Sequence, residues 1–198
     1  MKALYRFLVE PVGERYNNVK KIGDKNLLLN TEISNHQYVN RIGKVLACPI
    51  NIKTEIKEGD NVIVHHNVFR RFYDIRGNEK NSAAYYTEDK YFCADDQIFL
   101  YQRKGKWYAP DNYCFVQPIK EKDELSTEKE KPLVGIMRYP NKQLVESGIS
   151  KGDIVGFTPS SEYEFIIENK KLYRVFSNQI TIKYEYKGNE EEYNPSWV

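Results

Sequence analysis

Apolar positions along this chain come in short runs, each a few residues long and each broken by glycine, proline, asparagine or charge. The stretch 42–64, IGKVLACPINIKTEIKEGDNVIV, sets the pattern. Val45, Leu46 and Ala47 follow Gly43; a polar segment containing Pro49 leads to Lys57-Glu58-Gly59-Asp60; then Val62, Ile63 and Val64 form a second run. Two such runs separated by turn residues predict neighbouring antiparallel strands, with Gly59-Asp60 as the tight turn that launches the second. No long segment places apolar residues at helical spacing. The expected class is all-β, built from short strands.

The same pattern occurs again. Leu133-Val134-Gly135-Ile136-Met137 is followed by Ser150-Lys151-Gly152-Asp153-Ile154-Val155-Gly156-Phe157. An opening strand over 5–12 (YRFLVEPV) is echoed by 113–119 (YCFVQPI), and 91–99 is echoed by 172–180. Four matches in one order argue for a tandem duplication, with domains at 1–104 and 105–198. The halves differ in two places. The first carries a long polar loop over 13–41, where the second has a short charged one over 120–132 (KEKDELSTEKEKP). The first also has an extra hairpin within 72–90, with its turn at Arg76-Gly77-Asn78 and Tyr85-Tyr86 at its tip.

Composition narrows the function classes. Sixteen tyrosines and nine phenylalanines supply much of the buriable area, which favours sheets. Thirty basic residues against 28 acidic leave a net charge of +2, which gives no reason to expect a nucleic-acid or membrane-surface partner. No apolar segment approaches the ~18 residues that span a bilayer, and Glu10 interrupts the brief apolar run near the N-terminus. Cys48, Cys93 and Cys114 have no metal-type spacing and lie among strand-like neighbours; they read as reduced residues of a cytoplasmic protein.

The order of features then resembles a known family. Gly43-Lys44-Val45-Leu46-Ala47, Lys57-Glu58-Gly59-Asp60-Asn61-Val62-Ile63-Val64 and Asp96-Gln97-Ile98 look like the GroES co-chaperonins, the ring-forming lids of GroEL chaperonins. The likeness covers about residues 3–101, and the second half more loosely. Tandem fused lids are similar to the double-domain co-chaperonins of chloroplasts, while the tyrosine-rich sequence looks more like a bacterial or phage-encoded version. The resemblance implies two GroES-like β-barrels in a homo-oligomeric ring. Such a lid caps a chaperonin that binds the ATP or ADP, and it encloses non-native substrate proteins. The chain itself would hold no cofactor or metal and catalyse nothing.

The family places its chaperonin-binding element in the loop after the first strand. Here that loop contains Leu27, Leu28 and Leu29 behind Gly23-Asp24-Lys25-Asn26, with Val19 and Ile22 as fallback anchors. Exposed leucines on a free loop fit a docking role; as a strand, the three would be ordinary core. The second half offers only Leu125 in the equivalent place, so its contact with the chaperonin is expected to be lost. The alternative is a GroES-fold binding module with another partner, protein or single-stranded nucleic acid.

Other candidates for chemistry are weaker. His65 and His66 are read as strand neighbours on opposite faces, unable to share a metal, and His36 lies in the loop. Asp95-Asp96 meets the same objection as a general acid/base pair. Arg70 and Arg71 among Phe69, Phe72 and Tyr73 interleave basic and aromatic residues as single-strand binders do, but the near-neutral net charge favours a structural turn. No nucleophile-elbow, zincin, P-loop or dinucleotide motif is present.

Overall fold

A computed structural model describes residues 2–16, 19–28, 38–123, 125–185 and 190–196. The chain is all-β, as its short apolar runs predict, and divides into two compact units, Met1–Lys106 and Trp107–Val198. No helix among the described residues is long and apolar enough to cross a membrane.

The first unit contains β1 (Phe7–Pro11), β2 (Val19–Ile22), β3 (Lys25–Leu28), β4 (Ile42–Ala47), β5 (Asn61–Val64) and β6 (Arg71–Tyr73). It continues through β7 (Glu79–Asn81), β8 (Tyr85–Thr87), β9 (Lys90–Cys93) and β10 (Ile98–Arg103) to β11 (Lys106–Tyr108), inside which the unit boundary falls. Its main sheet runs β11-β10-β5-β4-β1-β9-β8, while β2-β3 and β6-β7 form separate two-stranded sheets. Strand β4 shows why these residues make a sheet: Gly43, Val45 and Ala47 are buried while Ile42 and Lys44 face out, the period of two that one buried face requires. Phe7, Val9, Val45, Val62, Val64, Phe69 and Tyr91 form the core.

The second unit contains β12 (Tyr113–Lys120), β13 (Glu130–Tyr139), α1 (Lys142–Glu146), β14 (Ile154–Phe157), β15 (Tyr163–Ile167), β16 (Lys170–Phe176) and β17 (Ile180–Lys183). Its sheet runs β15-β16-β12-β13-β14-β17, over a core of its own around Cys114, Val116, Met137, Val155 and Val175. Strand for strand this is the order β8-β9-β1-β4-β5-β10 of the first unit. Among the described residues both sheets are open: each ends in edge strands, and no pairing joins those ends into a closed barrel.

The two units also agree residue by residue at the Gly-Asp turn. Gly59 N donates to Val45 O and Val45 N to Asp60 O at 2.8 and 2.9 Å; Gly152 N donates to Met137 O and Met137 N to Asp153 O at the same distances. Both glycines hold positive φ, +87° and +93°, which a side chain disfavours. Both aspartates are buried and turn back to accept a backbone N–H, from Lys57 and Ser150, each at 2.8 Å. Each then meets a cation from the last main strand of its unit: Arg103 Nη2 at 2.5 Å from Asp60 and Lys183 Nζ at 2.8 Å from Asp153.

Pairing corrects the sequence reading in four places. Pro11 lies opposite Gly43 and Pro118 opposite Gly135, so the proline ends of the opening strands correspond. Val9 pairs with Tyr91 and Val116 with Tyr173, however, which makes Phe7 the counterpart of Cys114 and not of Phe115. The aromatic echo is therefore offset by one residue. Second, Tyr85 and Tyr86 do not sit at a hairpin tip: they lie on edge strand β8, which pairs with β9 and has β15 as its counterpart. The extra hairpin is β6-β7 alone, turning at Asp74-Ile75-Arg76-Gly77-Asn78, where the Asp74 carboxylate accepts from the Arg76 and Asn78 amides. Third, β5 ends at Val64, so strand alternation does not reach the histidines; the His65 and His66 rings lie with centroids 4.2 Å apart. Fourth, Asp95 and Asp96 belong to a 3-10 turn, Asp95–Gln97, whose counterpart is Ser177–Gln179.

The thiols follow burial. Cys93 and Cys114 are fully enclosed, and loss of solvation pushes the Cys114 thiol from its usual 9.0 up to about 12 and raises that of Cys93 as well. Cys48 is half-buried, with its thiol raised chiefly by burial. A thiol favoured in its protonated form stabilises the fold below its unfolded pKa, and this contribution is lost as pH rises through the folded value. Stability is accordingly expected to decline between about pH 9 and pH 12. Iodoacetamide at pH 8 should label Cys48 before Cys93 and Cys114, which react only on unfolding; peptide mass spectrometry reads the order.

Candidate functional site

The connection from β1 to β4 leaves and rejoins the main sheet through a hydrogen-bonded base. Val12 N donates to Ile42 O at 2.9 Å, and Asn40 N donates to Arg15 O at 2.9 Å. The buried Asn40 amide donates to Val12 O and Glu14 O, both at 2.8 Å, while its oxygen accepts from Ile42 N at 2.9 Å. One side chain thus satisfies three backbone groups that the departing chain leaves unpaired. Arg15 donates from Nε and Nη2 to Phe69 O at 3.1 and 2.8 Å, and from Nη1 to Asn81 Oδ1 at 2.8 Å. The buried Tyr16 bridges to Val39, and its hydroxyl accepts from Arg71 N at 2.6 Å. The Arg71 guanidinium lies over the Tyr16 ring and pairs with Glu79 at 2.8 Å.

Removing the staple tests this base. Asn40→Ala leaves two carbonyls and one amide without partners, at a cost of about 2–4 kcal/mol. Urea unfolding should report that loss together with faster hydrogen exchange at the Ile42 amide; a change below ~0.5 kcal/mol is an ordinary surface effect and contradicts the assignment.

Within the loop stands the β2-β3 hairpin. Val19 pairs with Leu28, Lys20 with Leu27, Lys21 with Asn26 and Ile22 with Lys25, around a turn at Gly23-Asp24 in which Gly23 has φ +59°. The structure therefore places four of the five expected anchors, Val19, Ile22, Leu27 and Leu28, on one two-stranded sheet outside the main sheet. Leu27 is 51% exposed. Leu29 and His36 lie outside the described residues. In the second unit the corresponding connection, between β12 and β13, carries Leu125 at 93% exposure.

The aromatic-basic run over 69–73 separates into distinct roles. Phe69 is core and packs edge-on against Tyr91 at 5.0 Å; Arg71 belongs to the base of the arm; Phe72 and Tyr73 are exposed on β6. Among the described residues no group of three or more His, Cys, Asp or Glu side chains is placed to hold a metal ion. No protein-family model matches the chain, and none of the curated proteins matches it.

Proposed function

We propose that this chain is a co-chaperonin: a doubled GroES-like lid subunit that caps a GroEL-type chaperonin in the cytoplasm and assists ATP-dependent folding. The observation that carries the reading is the β2-β3 arm, which stands on a stapled base and leaves Leu27 half in solvent. The matching strand order of the two units supports a duplicated lid domain.

The energetics suit reversible capping. Burying one leucine in a groove yields about 1.5–3 kcal/mol, so a single arm binds weakly. A hairpin that is already paired loses less conformational freedom on docking than an unstructured loop does. Several arms presented by one homo-oligomeric ring turn weak contacts into avidity that nucleotide exchange in the partner can break. The open edge strands of each sheet are the surfaces by which neighbouring subunits join. The partner binds and hydrolyses the nucleotide, and non-native proteins occupy the enclosed chamber. The second unit serves as ring material, since Leu125 is a solitary leucine in a charged connection.

Co-sedimentation tests this. With a GroEL-type chaperonin and ADP the chain should pellet with its partner, and without nucleotide it should stay in the supernatant. No nucleotide-dependent capture overturns the proposal.

A further inference from the structure

Independently of the capping role, the first unit carries an open cleft. A cleft of about 390 Å³ is lined by Arg6, Asn67, Arg70, Phe72, Phe92 and Gln97, with Ser82, Ala83 and Ala84 completing its wall. The volume lies within the range of small-molecule sites, roughly 300–1,000 Å³. Its chemistry is one-sided: two guanidinium groups, two phenylalanine rings, two side-chain amides and no carboxylate on the lining. Asp95 and Asp96 precede Gln97 in the chain but are not part of that lining. Among the described residues neither Arg6 nor Arg70 has an ion pair, in contrast to Arg71 and Arg103, which each hold a carboxylate. Arg70 Nε is buried with no hydrogen-bond partner.

Arg6 is exposed and Arg70 half-buried, so the cleft presents both guanidinium groups to solvent, while the enclosed Arg70 Nε is a donor that an entering acceptor would satisfy. A guanidinium fork matches the oxygens of a phosphate. Phe72 is exposed on β6, and Phe92, tilted 47° against Tyr86 at 4.9 Å, also lines the cleft, so two aromatic rings face an entering flat ring. Gln97 uses its oxygen to accept from Ala94 N at 3.0 Å and keeps its amide N–H groups as donors for a ring edge. A peptide carboxylate would use the guanidinium groups alone, whereas a nucleotide uses the whole lining. We infer that this cleft binds a nucleoside phosphate, free or as one unit of a single strand, with Arg6 and Arg70 on the phosphate and Phe72 and Phe92 against the base. The net charge of +2 does not oppose this, because local potential and not the overall balance sets the affinity of a small site.

Two probes on the full chain test the inference: AMP by titration calorimetry and labelled oligothymidylate by fluorescence anisotropy. Saturable binding of AMP identifies free nucleotide as the ligand; binding of the oligomer alone identifies a strand. In either case R6A/R70A should weaken binding at least about tenfold, R70K should weaken it less, and R76A, which removes an equal charge from the β6-β7 turn, should leave it unchanged. Failure of both probes to saturate at millimolar concentration with the wild-type chain overturns the inference. So does binding that persists in R6A/R70A, or inorganic phosphate competing as well as AMP.

Discussion

Asp153→Ala should lower the thermal midpoint of the second unit by roughly 8–30 °C. The Asp153 side chain is 2% exposed and holds two partners at 2.8 Å, the Ser150 amide and Lys183 Nζ. A hydrogen bond to a charged group contributes about 1.5–3 kcal/mol, and removing one member of a buried ion pair costs about 3–5 kcal/mol. Lys183 is 43% exposed and also donates to Gly148 O, so water and that carbonyl recover part of the loss. A net cost of about 2–4 kcal/mol remains, and in a unit of this size each kcal/mol moves the midpoint by about 4–8 °C. Asp153→Asn keeps an acceptor for Ser150 N and should recover about half. Asp60→Ala should act in the same direction, because Arg103 Nε and Nη2 hold Asp60 at 3.0 and 2.5 Å. A midpoint unchanged by Asp153→Ala rules out this turn as a structural anchor.

Gly135→Ala should cost about 1–3 kcal/mol by a different route. A Cβ at this position meets Gln117 O at 2.8 Å and Val116 Cβ at 3.2 Å. The nearest obstacle is backbone of the paired strand β12, so relief requires moving β12 away from β13. Gly43→Ala meets Phe69 Cζ at 2.9 Å and Glu10 O at 3.2 Å. Its nearest obstacle is a ring, which can tilt, and its ladder carbonyl stands at 3.2 Å against 2.8 Å at Gly135, so Gly43→Ala should be the milder change even though Phe69 is fully buried. Denaturant midpoints of the two variants give the order, and the reverse order contradicts the assignment of these glycines to close strand approach.

The same pairs of residues show what sequence patterning can and cannot reveal. Apolar runs at 45–47 and 62–64, and the turn between them, are local signals, and β4 and β5 appear over those residues. The recurrence of Gly43 and Gly135 was visible, but its reason depends on Phe69 and Gln117, which only pairing brings near. Likewise Gly-Asp after a lysine reads as a strand start, while the partner of the buried aspartate, Arg103 or Lys183, comes from a strand many residues later. Comparing YRFLVEPV with YCFVQPI aligned two phenylalanines; register shifts at Leu8/Val9 and Phe115/Val116 place the bulges that the comparison could not see. Helix α1 is too short for a 3.6-residue period to register, although Asn141, whose side chain accepts from Leu144 N, is a typical cap. The β2-β3 hairpin had its signal in Gly23-Asp24, a turn pair between two short runs, but the lysines in those runs made the segment read as an unstructured polar loop. For the Arg6 and Arg70 cleft the sequence offered only the basic-aromatic run, since Arg6 and Phe92 lie far from it along the chain.

The claim that the arm grips a larger partner is tested most directly by replacing Leu27, Leu28 and Leu29 together with serine. Capture by a GroEL-type chaperonin in ADP should fall to background, while the thermal midpoint and the ring size by analytical ultracentrifugation stay those of the wild-type chain. Full capture by the triple variant contradicts the account, as does a loss of capture accompanied by unfolding, which would place those leucines in the core.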